Sequence, residues 1–144
     1  MALVLRTTSQ IISHYEALED RATENYRRLA EAHPEHRDTF NGLAEENVKH
    51  RDRVTRAYRM GVTDAFEVGF TRNPIDPDAY KLTQVNHGAL AEAVEASIGN
   101  EEKTIEFCME AAKSSGGLLP DLPDTFEWLM KQKKNRVERL RGLT

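Results

Sequence analysis

The residues able to do chemistry sit where chemistry is least expected, inside apolar helical stripes. Phe40, Leu43, Asn47, His50 and Val54 recur every three or four residues and so share one helical face. The middle of that face holds Asn47 and His50, polar groups that cost free energy to bury without partners. Three further stretches show the same anomaly. Glu19 interrupts Ile12, Tyr15, Ala22, Tyr26 and Ala30. Glu101 interrupts Leu90, Val94, Ile98, Ile105, Cys108 and Ala112. Lys133 and Arg136 stand between Phe126, Leu129 and Leu140. Two acids and two bases sum to zero, so the four stripes can meet around a central polar cluster of Glu19, Tyr26, Asn47, His50, Glu101, Lys133 and Arg136. The plainer reading, glutamates on a solvated face, conflicts with their place inside the apolar stripes.

Four helices must position those groups. The first is expected from about Thr8 to His33, widened by Ile11, Leu18 and Leu29 and ended by Pro34. The second is expected from Pro34 or Glu35 to Met60, with Gly61 as its stop. Residues Val62 to Asp76 show no convincing period, and that connection is longer than antiparallel neighbours need. It is long enough to cross a bundle and set the third helix parallel to the second. Asp76 suits an N-cap, with Pro77 in the first turn and Gly88 a bend. Gly99 signals a local bulge, a close helix approach or a tolerated surface glycine. Ser114 to Gly117 end the third helix, and Pro120 and Pro123 keep the next connector irregular. Asp121 or Asp124 caps the last helix.

All 144 residues are expected to form one domain, an all-α bundle of four helices joined short, long, short. Charged residues at 31% and hydrophobic ones at 39% suit amphipathic helices, and a net charge of -4 gives no electrostatic reason to bind nucleic acid or membrane. Cys108 is the only cysteine, which excludes an intrachain disulfide and fits a reducing compartment. The opening residues do not read as a signal peptide and no apolar run approaches a membrane span, so the cytoplasm is the expected location. The halves echo one another. Glu19 precedes Tyr26 as Glu101 precedes Cys108, and Phe40, Leu43, Asn47 and His50 have the spacing of Phe126, Leu129, Lys133 and Arg136.

From about Tyr15 to Leu140 the chain resembles the ferritin-like superfamily, most closely its rubrerythrin-type members. The resemblance implies a four-helix bundle with one long crossover between helices 2 and 3. In that family two helices each give a Glu and two give Glu-x-x-His pairs, which together hold two irons. Iron favours carboxylate and imidazole, and Glu and His three apart lie on one helical face. Carried over, Glu19, His50 and Glu101 match retained ligands. Asn47, Lys133 and Arg136 stand where the others belong. Unit charges at about 4 Å interact by roughly 4 kcal/mol at an effective dielectric near 20, so a divalent ion beside Lys133 meets about twice that opposition.

The expectation is therefore a non-catalytic structural or interaction module in which internal ion pairs replaced the metals, with no catalytic residue and no cofactor. One alternative is a metal-dependent oxidase or peroxidase keeping iron or manganese at Glu19, His50 and Glu101. The rubredoxin-like four-cysteine segment of full rubrerythrins is absent from the sequence. Another is an assembly subunit whose basic last helix, with Lys131, Lys133, Lys134, Arg136, Arg139 and Arg141, meets an acidic protein partner. By analogy with its ferritin-like relatives the chain is expected to form a dimer or larger homo-oligomer. His14, His33, His36 and His87 fall outside the matched positions and are expected at the surface, and Cys108 is expected to be a buried, inert thiol.

Overall fold

A computed structural model describes residues 4–63, 70–85, 88–114 and 121–144, with side chains at all of these except 61–63 and 70–73. These residues are mostly helical. Strand β1 (Leu5–Thr7) leads into α1 (Thr8–Ala32), and a 3-10 turn at Pro34–His36 leads into α2 (Arg37–Thr63). Strand β2 (Phe70–Ile75) and a second 3-10 turn (Pro77–Tyr80) precede α3 (Leu90–Ser114), and α4 (Asp121–Arg141) closes the order. No helix among the described residues is long and apolar enough to cross a membrane.

Local chemistry accounts for the helix ends. Thr7 and Gln10 form a capping box: Thr7 Oγ1 accepts from the Gln10 amide at 3.1 Å, and Gln10 Oε1 accepts from the Thr7 amide at 3.2 Å. Pro34 starts a 3-10 turn rather than α2 itself, and α2 runs two residues past the expected stop at Gly61. Asp76 does cap, accepting from the Asp78 amide at 3.0 Å, but it caps the short turn and not α3. Pro123 lies within the first turn of α4 and not in a connector, because the early amides of a helix need no intrahelical acceptor. Asp121 and Asp124 occupy that same turn, where the helix dipole favours them. The expected stop at Gly116 and Gly117, with Ser115 and Pro120, lies outside the described residues, as does His87.

The connection after α2 is not wholly irregular. β2 pairs antiparallel with β1, Leu5 opposite Ile75 and Thr7 opposite Phe70, with an irregular register between them. Residues 81–85 then cross α1 and α3 as an extended strap. Asn100 grips the Thr83 backbone on both sides, its Oδ1 accepting at 2.8 Å and its Nδ2 donating at 2.8 Å. Asn25 donates to the Thr83 carbonyl at 3.2 Å and accepts from the Val85 amide at 3.3 Å. These amides satisfy backbone groups that no ladder satisfies.

Pairings between helices fix their directions. Tyr26 stacks on Phe40, Glu19 lies by His50 and Glu16 accepts from Thr55 Oγ1 at 2.9 Å, so α1 and α2 run antiparallel. Tyr26 meets Glu101 and His14 meets Phe107, so α1 and α3 are antiparallel as well. Glu46 meets Arg139 and His50 meets Trp128, which sets α4 against α2. The core is apolar above and below a polar middle, with Tyr15, Phe40, Phe107, Phe126, Leu122 and Leu129 fully enclosed. Gly99 lies in an unbroken α-helix, and a Cβ there would meet nothing within 4 Å, so neither a bulge nor a close approach explains it.

Candidate functional site

Each helix delivers its anomalous residues to one place. Glu19, Tyr26, Asn47, His50, Glu101, Lys133 and Arg136 are all buried, with Asn47, Lys133 and Arg136 at 0% exposure. They are held by charge and hydrogen bonding. Lys133 Nζ donates to Glu19 Oε1 at 2.5 Å and to Asn47 Oδ1 at 3.0 Å, and lies 4.0 Å from Glu101 Oε2. Arg136 Nη1 donates to Glu101 Oε1 at 3.1 Å and to Asn47 Oδ1, while its Nη2 donates to Glu46 Oε1 at 3.1 Å. Both cations thus direct the Asn47 carbonyl toward themselves. The carboxamide is satisfied only on that side, because Asn47 Nδ2 has no hydrogen-bond partner among the described residues.

Two tyrosines complete the carboxylates. Tyr26 donates to Glu101 Oε1 at 2.5 Å and Tyr15 donates to Glu19 Oε2 at 2.7 Å. Burial, and then the adjoining carboxylate, raises the pKa of each phenol well above its usual value, so both remain donors. For Glu101, burial favours the neutral acid, but Lys133 and Arg136 outweigh it and the pKa is lowered. For Arg136, burial opposes the charge and Glu101 overcomes it, leaving the guanidinium harder to deprotonate than usual. Glu101 Oε2 and Ser97 Oγ have no hydrogen-bond partner among the described residues, and both residues line a cavity of about 10 Å³, room for about one water.

His50 stands at the edge of this cluster. Its Nδ1 is 3.8 Å from Glu19 Oε2, too long for a hydrogen bond. Nor is this an ion pair: burial first, then Lys133 and Arg136, lowers the imidazole to about 3, so it is neutral at pH 7. Its ring meets Trp128 edge-on at 5.5 Å, and Arg53 covers the other ring system at 3.9 Å. Cys108 is enclosed near Glu19, and burial followed by that carboxylate raises its pKa far above the range of a reactive thiol.

Three participants were not anticipated as such. Tyr15 lies four residues before Glu19, a spacing that could have signalled the contact. Glu46 links Arg136 to Arg139, whose Nη2 donates to it at 2.7 Å, and hydrogen bonding by Arg139 lowers it to about 2 against the effect of burial. Trp128 walls off His50. Two expectations need correction. His33 is buried, and His14 and His36 are half-buried against Phe107 and Phe40, because their rings complete aromatic clusters. The basic face of α4 loses Lys133 and Arg136 to the core; Lys131, Lys134, Arg139 and Arg141 remain exposed, with Arg139 and Arg141 paired to Glu46 and Glu138.

The donors do not fit a di-iron or di-manganese centre. The ammonium of Lys133 stands between Glu19 and Glu101, the two carboxylates that would have to ligate such metals, and the guanidinium of Arg136 occupies Glu101 Oε1. Among the described residues no group of three His, Cys, Asp or Glu side chains converges on a point that could hold a metal. No family model matches the chain, and no curated protein or solved structure does either.

Proposed function

We propose that the chain is a ferritin-like module of rubrerythrin type whose metal centre has given way to internal ion pairs, and that it acts as a non-catalytic structural or interaction subunit. The observation that carries this reading is Lys133 Nζ at 2.5 Å from Glu19 and 4.0 Å from Glu101, two carboxylates on different helices bridged by a fixed cation. The pairings that set both α2 and α3 against α1 support a connection that crosses the bundle, as the ferritin-like topology requires. A single buried thiol and the absence of a membrane-crossing helix among the described residues fit a protein of the cytoplasm. Self-association as a dimer or larger assembly belongs to the same reading.

Metal analysis tests it. Protein purified from cells supplied with iron and manganese should carry far less than one metal per chain and show no metal-dependent peroxide turnover. Near-stoichiometric metal that disappears in Glu19→Ala, with turnover that disappears alongside it, would instead establish an oxidase or peroxidase at Glu19, His50 and Glu101.

A further inference from the structure

We infer that the folded chain forms a covalent amide between Lys133 Nζ and Asn47 Cγ, releasing ammonia and tying α4 to α2. The bond consumes the Lys133–Glu19 ion pair of the functional reading above, so chain mass, and not metal content, tests it. The amine and the carboxamide are both wholly buried, with Nζ already 3.0 Å from Asn47 Oδ1. The carbonyl carbon lies one bond of about 1.23 Å beyond that oxygen. A displacement of about 1 Å therefore brings Nζ within the roughly 3–3.5 Å from which attack proceeds. Three neighbours supply what the reaction lacks. Glu19 Oε1, 2.5 Å from Nζ, is the base that frees its lone pair. Arg136 Nη1 donates to Oδ1, where negative charge gathers in the tetrahedral intermediate. Asn47 Nδ2, the leaving nitrogen, has no hydrogen bond among the described residues to hold it.

The balance closes without an oxidant or co-reactant. The Nζ–Cγ bond forms and the Cγ–Nδ2 bond breaks. Of the three ammonium protons, one stays on the new amide, one leaves with Nδ2 as ammonia and one remains on Glu19. Lys133 and Glu19 thus lose their charges together, and the buried site stays neutral with Arg136 still paired to Glu101. Direct condensation of Lys133 with Glu19 is the competing chemistry, but an ionised carboxylate offers no leaving group.

High-resolution intact mass of the folded chain, unfolded only for the measurement, decides the matter. Purified protein held at 37 °C for several days should become lighter than its sequence by one ammonia, and digestion should yield a branched peptide joining Asn47 to Lys133. Glu19→Gln should slow its appearance by about a hundredfold or more. Asn47→Leu keeps the side-chain volume but removes the electrophile and should hold full sequence mass, which keeps the test open should Glu19→Gln fail to fold. Full sequence mass in the folded, incubated wild-type chain would overturn the proposal. So would a lost water mapping to Glu19 and Lys133, or a lost ammonia mapping elsewhere.

Discussion

Lys133→Met should be among the most destabilising single substitutions in this chain, and its size follows from the site. Lys133 and Glu19 are at most 1% exposed and 2.5 Å apart. Coulomb's law at an effective dielectric near 20 gives about 7 kcal/mol at that separation as an upper figure. Removing one member of a buried pair costs about 3–5 kcal/mol in practice, because the survivor is left charged or must take up a proton. Among the described residues Glu19 keeps only Tyr15 as donor, so the expected loss is within that range, a large share of the roughly 5–15 kcal/mol that holds a typical domain together. Glu19→Gln with Lys133→Met removes both charges and should recover much of the loss. Urea unfolding at pH 7, followed by circular dichroism on freshly made chain of full sequence mass, gives all four corners of the cycle. A single-mutant loss below about 1 kcal/mol, or strict additivity of the two changes, would refute the claim that this pair is an enclosed, coupled unit.

The neutral state of His50 makes stability depend on pH. Its folded pKa, about 3, lies below the unfolded value near 6.5, so below pH 6.5 the unfolded chain binds the extra proton. Stability from this group is complete above pH 6.5 and falls by about 1.4 kcal/mol per unit as pH drops toward 3. Urea midpoints between pH 7 and 5 should fall more steeply for wild type than for His50→Gln, and equal slopes would exclude a buried neutral imidazole. Arginines of α4 should divide by burial. Arg136→Met leaves Glu101 with Tyr26 and the more distant Lys133 and should cost about 3–5 kcal/mol, whereas Arg139→Ala, at an exposed pair, should cost under about 1 kcal/mol. Thermal denaturation of the two variants side by side checks the ordering.

The helices and the membership of the site were legible because burial is periodic. Every residue of the stripe from Phe40 to Val54 is enclosed, and so is Glu19 with its flanking Ile12, Tyr15, Ala22 and Tyr26. A polar side chain in such a stripe must find partners, and opposite charges in the other stripes supply them. What the pattern could not convey was which partner each group takes. Tyr26 bonds Glu101 on another helix and not Glu19 on its own, while Tyr15 takes Glu19. Periodicity places a residue on a face but not its hydroxyl on an atom. The pairing of Leu5–Thr7 with Phe70–Ile75 was hidden for another reason. Three residues carry too little alternation to register, and Pro74 argues against a strand at any position but an edge. The strap at 81–85 depends on Asn25 and Asn100, whose side chains bind backbone and so leave no mark on the sequence pattern.

The proposal that Lys133 and Arg136 stand at former metal-ligand positions is tested most directly by putting ligands back. Asn47→Glu, Lys133→Glu and Arg136→His together should give a folded chain that takes up about two irons under anaerobic Fe(II) titration, while the wild-type chain takes up essentially none. A folded triple variant that binds no iron, or a wild-type chain that binds as much as the variant, would contradict it.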